Sequence, residues 1–99
     1  MRGRGRRISS VLADALADRS EARLAAAAAA FAEACGFPLA RECAARALTT
    51  DGRLIVVART PGWAAQLEAN EAQLRARVNT RLGALLVRAL EVRVGPVGG

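Results

Sequence analysis

A chain of 99 residues with 53% hydrophobic content and a mean hydropathy of +0.17 can build one core, and these values exclude a largely disordered polymer. Fifteen basic against nine acidic residues leave a net charge of +6, all the basic residues being arginine, and a small domain so charged is drawn to polyanions such as nucleic acid. Histidine, lysine and tyrosine are absent, which removes the usual general bases near neutral pH and the Schiff-base nucleophile and argues against an enzyme.

Residues 1–7, Met-Arg-Gly-Arg-Gly-Arg-Arg, hold four arginines and no apolar side chain beyond the methionine, so they read as a flexible basic arm. Arg2, Arg4, Arg6 and Arg7 could lie along a phosphate backbone or serve only as a solubilising tail. Ile8, Val11, Leu12 and Leu16 then recur at helical spacing, with Ser9 or Ser10 as cap. A second helix is expected after Ser20, running through the alanine block Ala25 to Ala30 and stopping at Gly36, with Pro38 just beyond. Alanine favours the helix and lets another backbone approach closely, so this block should pack against a sheet.

Beyond Leu39 the pattern turns extended. Residues 44–49 and 53–59 read as two antiparallel strands around Thr50-Asp51-Gly52, with Leu54, Val56 and Ala58 on one face and Ile55, Val57 and Arg59 on the other. Pro61 and Gly62 end the second strand. Residues 63–69 and 71–82 form one broken helix or two short ones, with Leu74, Val78, Leu82 and Leu85 as the buried stripe. Arg75, Arg77 and Arg81 fall on the opposite faces, the densest basic cluster outside the arm. Gly83 closes the helix, and residues 86–94 supply a third strand with Leu90, Val92 and Val94 inward and Arg93 outward. Residues 96–99 are expected to be a disordered tail. Because aromatics are scarce, Phe31, Phe37 and Trp63 should each occupy a position where volume is needed. The fold class is α+β, a three-stranded sheet packed on helices in the order α-α-β-β-α-α-β.

Sites for chemistry are few. Cys35 and Cys43 are the only thiols, without histidine or a CxxC pair, so no metal and no cofactor are expected. The basic start and the interrupted amphipathic pattern after it do not resemble a secretory leader, and the thiols read as buried and reduced in a cytoplasmic protein. The longest apolar run, residues 24–32, falls far below the roughly 20 residues of a bilayer span. Gly3-Arg4-Gly5 and Gly95-Pro96-Val97-Gly98 lack the strand-to-helix setting of a phosphate loop, and no catalytic residue is assigned.

The element order is that of a KH-like domain, and particular residues carry a closer likeness. Asp51-Gly52-Arg53-Leu54-Ile55-Val56-Val57-Ala58, Pro61-Gly62-Trp63-Ala64-Ala65-Gln66-Leu67 and Leu74-Arg75-Ala76-Arg77-Val78-Asn79-Thr80-Arg81-Leu82-Gly83 resemble, in order and spacing, the signature of the DciA family. Upstream, Phe31-Ala32-Glu33-Ala34-Cys35-Gly36 is similar to the family's aromatic-to-glycine helix end, with Phe31 where tryptophan is usual. The likeness covers most of the chain and places a KH-like, DciA-type domain at residues 8–95. It implies a bacterial DNA-replication initiation factor, located in the cytoplasm at the nucleoid, that binds the replicative helicase DnaB and assists its loading. It also implies sequence-independent binding of single-stranded or forked DNA through the KH-like domain and basic extensions. Many members carry a segment beyond that domain, and contacts of such a segment are expected to be lacking or to fall to the arm. At the position of the Gly-x-x-Gly loop of nucleic-acid-binding KH domains stands Ala69-Asn70-Glu71-Ala72, so a phosphate grip of that type is not expected.

On this reading Arg2, Arg4, Arg6 and Arg7 are the mobile phosphate contacts and Arg75, Arg77 and Arg81 the fixed ones. Trp63 has two readings, a core residue or a partly exposed anchor for the helicase. A protein-only interaction module and an RNA-binding KH-like domain are the alternative functions, and the oligomeric state is left open.

Overall fold

The computed structural model of the protein describes residues 2–98, with side chains described from Arg19 onward. The first helix, α1, spans Arg2–Cys35. The two helices expected on either side of Ser20 are therefore one, since residues 8–35 hold neither glycine nor proline and a serine within a helix costs only about 0.5 kcal/mol relative to alanine. The expected arm at residues 1–7 and the apolar positions Ile8, Val11, Leu12 and Leu16 lie outside the described side chains. Ala27, Ala30, Phe31 and Ala34, spaced one turn apart, are buried where α1 packs on β1 (Cys43–Leu48) and α4 (Glu71–Leu82). Gly36 ends the helix in the left-handed region at φ 69.

Leu39–Glu42 forms a single helical turn, α2, where the sequence reads as extended. Pro38 precedes it with φ −90 and ψ −2, already in the helical region. Strand β1 then runs antiparallel to β2 (Arg53–Ala58), joined by a turn in which the Gly52 amide donates to the Thr49 carbonyl at 3.1 Å. Gly52 has φ 91, and a Cβ there would stand 3.0 Å from the Leu86 carbonyl oxygen, so the turn requires glycine. A bulge between Ala45 and Ala47 turns Arg46 out of register, and its guanidinium donates to the carbonyls of Pro96 at 3.3 Å and Val97 at 2.6 Å. Pro96 and Val97, expected to be disordered, are thus held against the sheet by a contact 50 residues away in sequence.

Helix α3 spans Pro61–Ala69, beginning two residues before the sequence places it. Thr60 caps it by accepting the Trp63 amide at 3.2 Å, and Pro61 takes the first turn, where a missing amide costs nothing. Asn70 separates it from α4, which stops at Gly83, φ 70. The third strand, β3 (Ala89–Val94), pairs parallel with β2, giving a mixed sheet of order β1-β2-β3. Residues 86–88, expected in the strand, are instead loop, because Asn79 of α4 holds Val87 by both its main-chain groups.

Helices α1, α3 and α4 share one core with the inner face of the sheet. Phe31, Leu54, Val56, Leu67, Val78 and Val87 are its largest fully buried side chains, each worth about 1.5–3 kcal/mol of burial. Leu74 and Leu90 are buried there too, with Trp63, Leu82 and Val92 packed against its edge. Three expectations of burial do not hold. Leu85 is 86% exposed because Gly83 has already turned the chain off the helix axis, Val94 is 53% exposed beyond the last helix that covers β3, and Phe37 is 77% exposed under Arg41, whose Cζ lies 5.5 Å from the ring centroid.

Candidate partner and nucleic-acid interface

On α4 the residues are sorted by size and charge around the helix. Leu74, Val78 and Leu82 turn inward, so at 3.6 residues per turn Ala72, Ala76, Thr80 and Gly83 face outward. These four small residues line a groove of about 550 Å3 with the exposed Leu85 at its margin. Arg75 stands on one side of it, Arg77 and Arg81 on the other, where a second hollow of about 350 Å3 lies between Ala76, Arg77, Thr80 and Arg81. The three arginines singled out from the sequence thus share one helix but line two adjoining hollows, Arg75 the first and Arg77 with Arg81 the second, rather than one patch.

Their surroundings differ. Arg75 is half-buried, with Nε 3.0 Å from Oε2 of Glu71 one turn earlier. Arg81 reaches α1, placing Nη1 3.3 Å from Oε2 of Glu33. Arg77 is exposed and has no acidic partner among the described residues. Exposed ion pairs contribute at most about 1 kcal/mol, so a phosphate can displace Glu33 from Arg81 at little cost. Arg75 is less available, because Oε2 of Glu71 also accepts the Leu90 amide at 3.0 Å and so ties α4 to β3.

Glu71 has a second consequence. Its carboxylate occupies the first turn of α4, where the helix dipole and free amides would otherwise attract an anion. The junction between α3 and α4 is thereby neutralised, and Arg77 and Arg81 stand further along α4, away from it. Trp63, on α3, is half-buried against the core and lines neither hollow.

The outer face of the sheet and its margin carry further ion pairs. Arg59 bonds Glu42 at 2.9 Å, while Arg53 bonds Glu91 at 3.1 Å and Arg93 Nε bonds it at 2.9 Å. Hydrogen bonds from Arg93 and then Arg53 hold the Glu91 carboxyl below the usual range, as the Thr49 hydroxyl does first for Asp51. Burial raises both thiols, Cys35 to about 12, so neither is a reactive thiolate near neutral pH. Among the described residues, no helix is long and apolar enough to cross a membrane.

Asn79 and Arg46 have structural parts that sequence reasoning did not assign. Asn79 was legible only as one letter of a motif, and Arg46 carried no signal because its partners are carbonyls at the far end of the chain.

Comparison with known protein families gives a match to the model described as Dna[CI] antecedent, DciA, over residues 7–92. The chain belongs to the DciA family. Membership carries a helicase-loading role in DNA replication, that of a loader or accessory factor rather than an enzyme. The DciA match extends from Arg7 through α4 to Val92 of β3, so both hollows lie within it. Among curated proteins no match is found.

Proposed function

We propose that this DciA-family protein binds the replicative helicase DnaB in the cytoplasm, at the nucleoid, and holds single-stranded or forked DNA beside it without regard to sequence. Arg77 and Arg81 are the fixed phosphate contacts, Arg75 a secondary one, and Arg2, Arg4, Arg6 and Arg7 the contacts of the arm. The observation that carries this reading is the pair of adjoining hollows on α4, lined by small residues and bordered by Arg75 in one and by Arg77 and Arg81 in the other, in a chain of net charge +6. A small-residue floor lets a sugar-phosphate backbone approach the helix while guanidinium groups meet it from both sides.

Fluorescence anisotropy with labelled single-stranded and forked DNA tests the reading. If about five phosphates are neutralised on a single strand, raising salt from about 50 to about 200 mM weakens binding roughly 100-fold by counterion release. Salt-independent binding, or none, would exclude these hollows as phosphate sites.

The ion pairs of Arg75 and Arg81 favour a second reading, a module that contacts protein alone. Deleting residues 1–7 separates the two. DNA affinity drops sharply under the first reading, whereas under the second helicase capture persists and DNA affinity is negligible from the outset.

A further inference from the structure

The sheet has two edges, and that at β3 is open beyond Leu90. At β1 the bulge at Arg46 and the packing of α1 interrupt any flat approach. β3 runs in unbroken register beside β2, from Arg53↔Ala89 to Ala58↔Val94. The Ala89 amide donates to the Gly52 carbonyl and the Gly95 amide to that of Ala58, so the odd-numbered main-chain groups of β3 face β2. The even-numbered groups face away. Leu90 has its amide on Glu71, but the amides and carbonyls of Val92 and Val94 find no partner among the described residues.

We infer that β3 is a self-association edge, pairing antiparallel with β3 of a second copy of this chain about a two-fold axis through Val92. The sequence Leu90-Glu91-Val92-Arg93-Val94 is self-complementary in that register alone. Val92 meets Val92 of the second copy as the hydrogen-bonded pair, exchanging both main-chain bonds. Glu91 falls opposite Arg93 and Arg93 opposite Glu91, in the closer, non-hydrogen-bonded positions where side chains touch. Leu90 falls opposite Val94, which covers the apolar side chain left 53% exposed at the end of the core face. In that pair the Val94 amide donates to the Leu90 carbonyl, and the Val94 carbonyl takes the Leu90 amide from the Glu71 carboxylate, which keeps Arg75. A foreign strand would have to match one acidic and one basic position in the right order, whereas a second copy does so by symmetry. The result is a six-stranded sheet, and the inference holds whether or not α4 binds DNA.

Sedimentation equilibrium from about 1 µM to about 1 mM spans the dissociation constants of weak interfaces. The mass is expected to rise from 10.3 kDa toward twice that value. Arg93→Glu sets glutamates opposite one another and Glu91→Arg does the same with arginines, so each variant alone should dissociate about 10-fold or more readily. An equimolar mixture of the two restores opposite charges and should dimerise again. Val94→Pro, which removes an outward amide at an exposed edge position, should also dissociate the dimer while circular dichroism and melting report an intact monomer. A wild-type chain that stays monomeric throughout the range would overturn the proposal. So would single variants that associate like wild type, or a mixture that remains monomeric.

Discussion

Asn79 and Val87 exchange two hydrogen bonds, the side-chain amide donating to the Val87 carbonyl at 2.7 Å and the side-chain oxygen accepting the Val87 amide at 2.9 Å. The loop between α4 and β3 has no other lock of this kind, and Val87 is one of the six largest fully buried side chains. Asn79→Asp keeps the acceptor but turns a second oxygen toward the Val87 carbonyl. At neutral pH the change should cost about 2–3 kcal/mol, or roughly 10–20 °C in melting temperature for a chain of this size. Near pH 4 part of the loss should return, because a protonated carboxyl donates again. Urea unfolding at both pH values checks this, and a variant as stable as wild type at neutral pH would mean the clamp contributes nothing.

A second tie between the same elements runs through Glu71, which joins Arg75 and the Leu90 amide on one carboxylate. Glu71→Ala strands an amide at the start of β3 and frees Arg75, so a loss of about 1–2 kcal/mol is expected. Glu71→Gln keeps an acceptor for Leu90 and should cost less. Chemical denaturation of the three proteins orders them, and equal stabilities for the two variants would show that the charge, rather than the acceptor, matters.

Local signals explain which parts of this fold were legible in the sequence. The alternation of Leu54, Val56 and Ala58 placed all three in the core, and Gly36 and Gly83 ended their helices as left-handed caps. The signature that points to DciA is spread over these same elements, and the family match confirms it. What was not legible depended on partners distant in sequence. Leu85 continues the helical spacing of Leu74, Val78 and Leu82, yet Gly83 and the Asn79 clamp carry it out to solvent. Arg46 reads as one more strand arginine until a bulge aims it at Pro96 and Val97. In the candidate site, the sequence named the three arginines on α4, but the hollows beside them appear only when Ala72, Ala76, Thr80 and Gly83 are stacked along the helix.

Alkaline stability should report on Cys35. Burial, with neighbouring Cys43 second, pushes this thiol from an ordinary 9.0 up to about 12. Between those values the unfolded chain has released the proton and the folded protein still holds it, so unfolding becomes easier as pH rises. The contribution of the neutral thiol is complete below about 9 and is lost as pH climbs toward 12. Cys35→Ala should therefore flatten the alkaline limb of a stability-against-pH curve. Superimposable curves for the two proteins would remove Cys35 as its source.

Along α4 the three arginines should not be equivalent, and their order follows from what each already holds. Arg77 has no acid to leave among the described residues, Arg81 must give up an exposed pair with Glu33, and Arg75 must be drawn from a carboxylate that also holds β3. Arg77→Ala should thus weaken single-stranded DNA binding several-fold and lower the salt slope by about 0.7, with stability within about 0.5 kcal/mol of wild type. Arg75→Ala should do less to DNA and more to the melting temperature, since Glu71 loses the cation that balances it. Anisotropy titrations at several salt concentrations, run beside thermal melts of the same samples, read both quantities. If Arg75→Ala proves the more damaging to DNA binding while Arg77→Ala is silent, the backbone runs on the Glu71 side of the helix, and the assignment of Arg77 and Arg81 as the principal contacts fails.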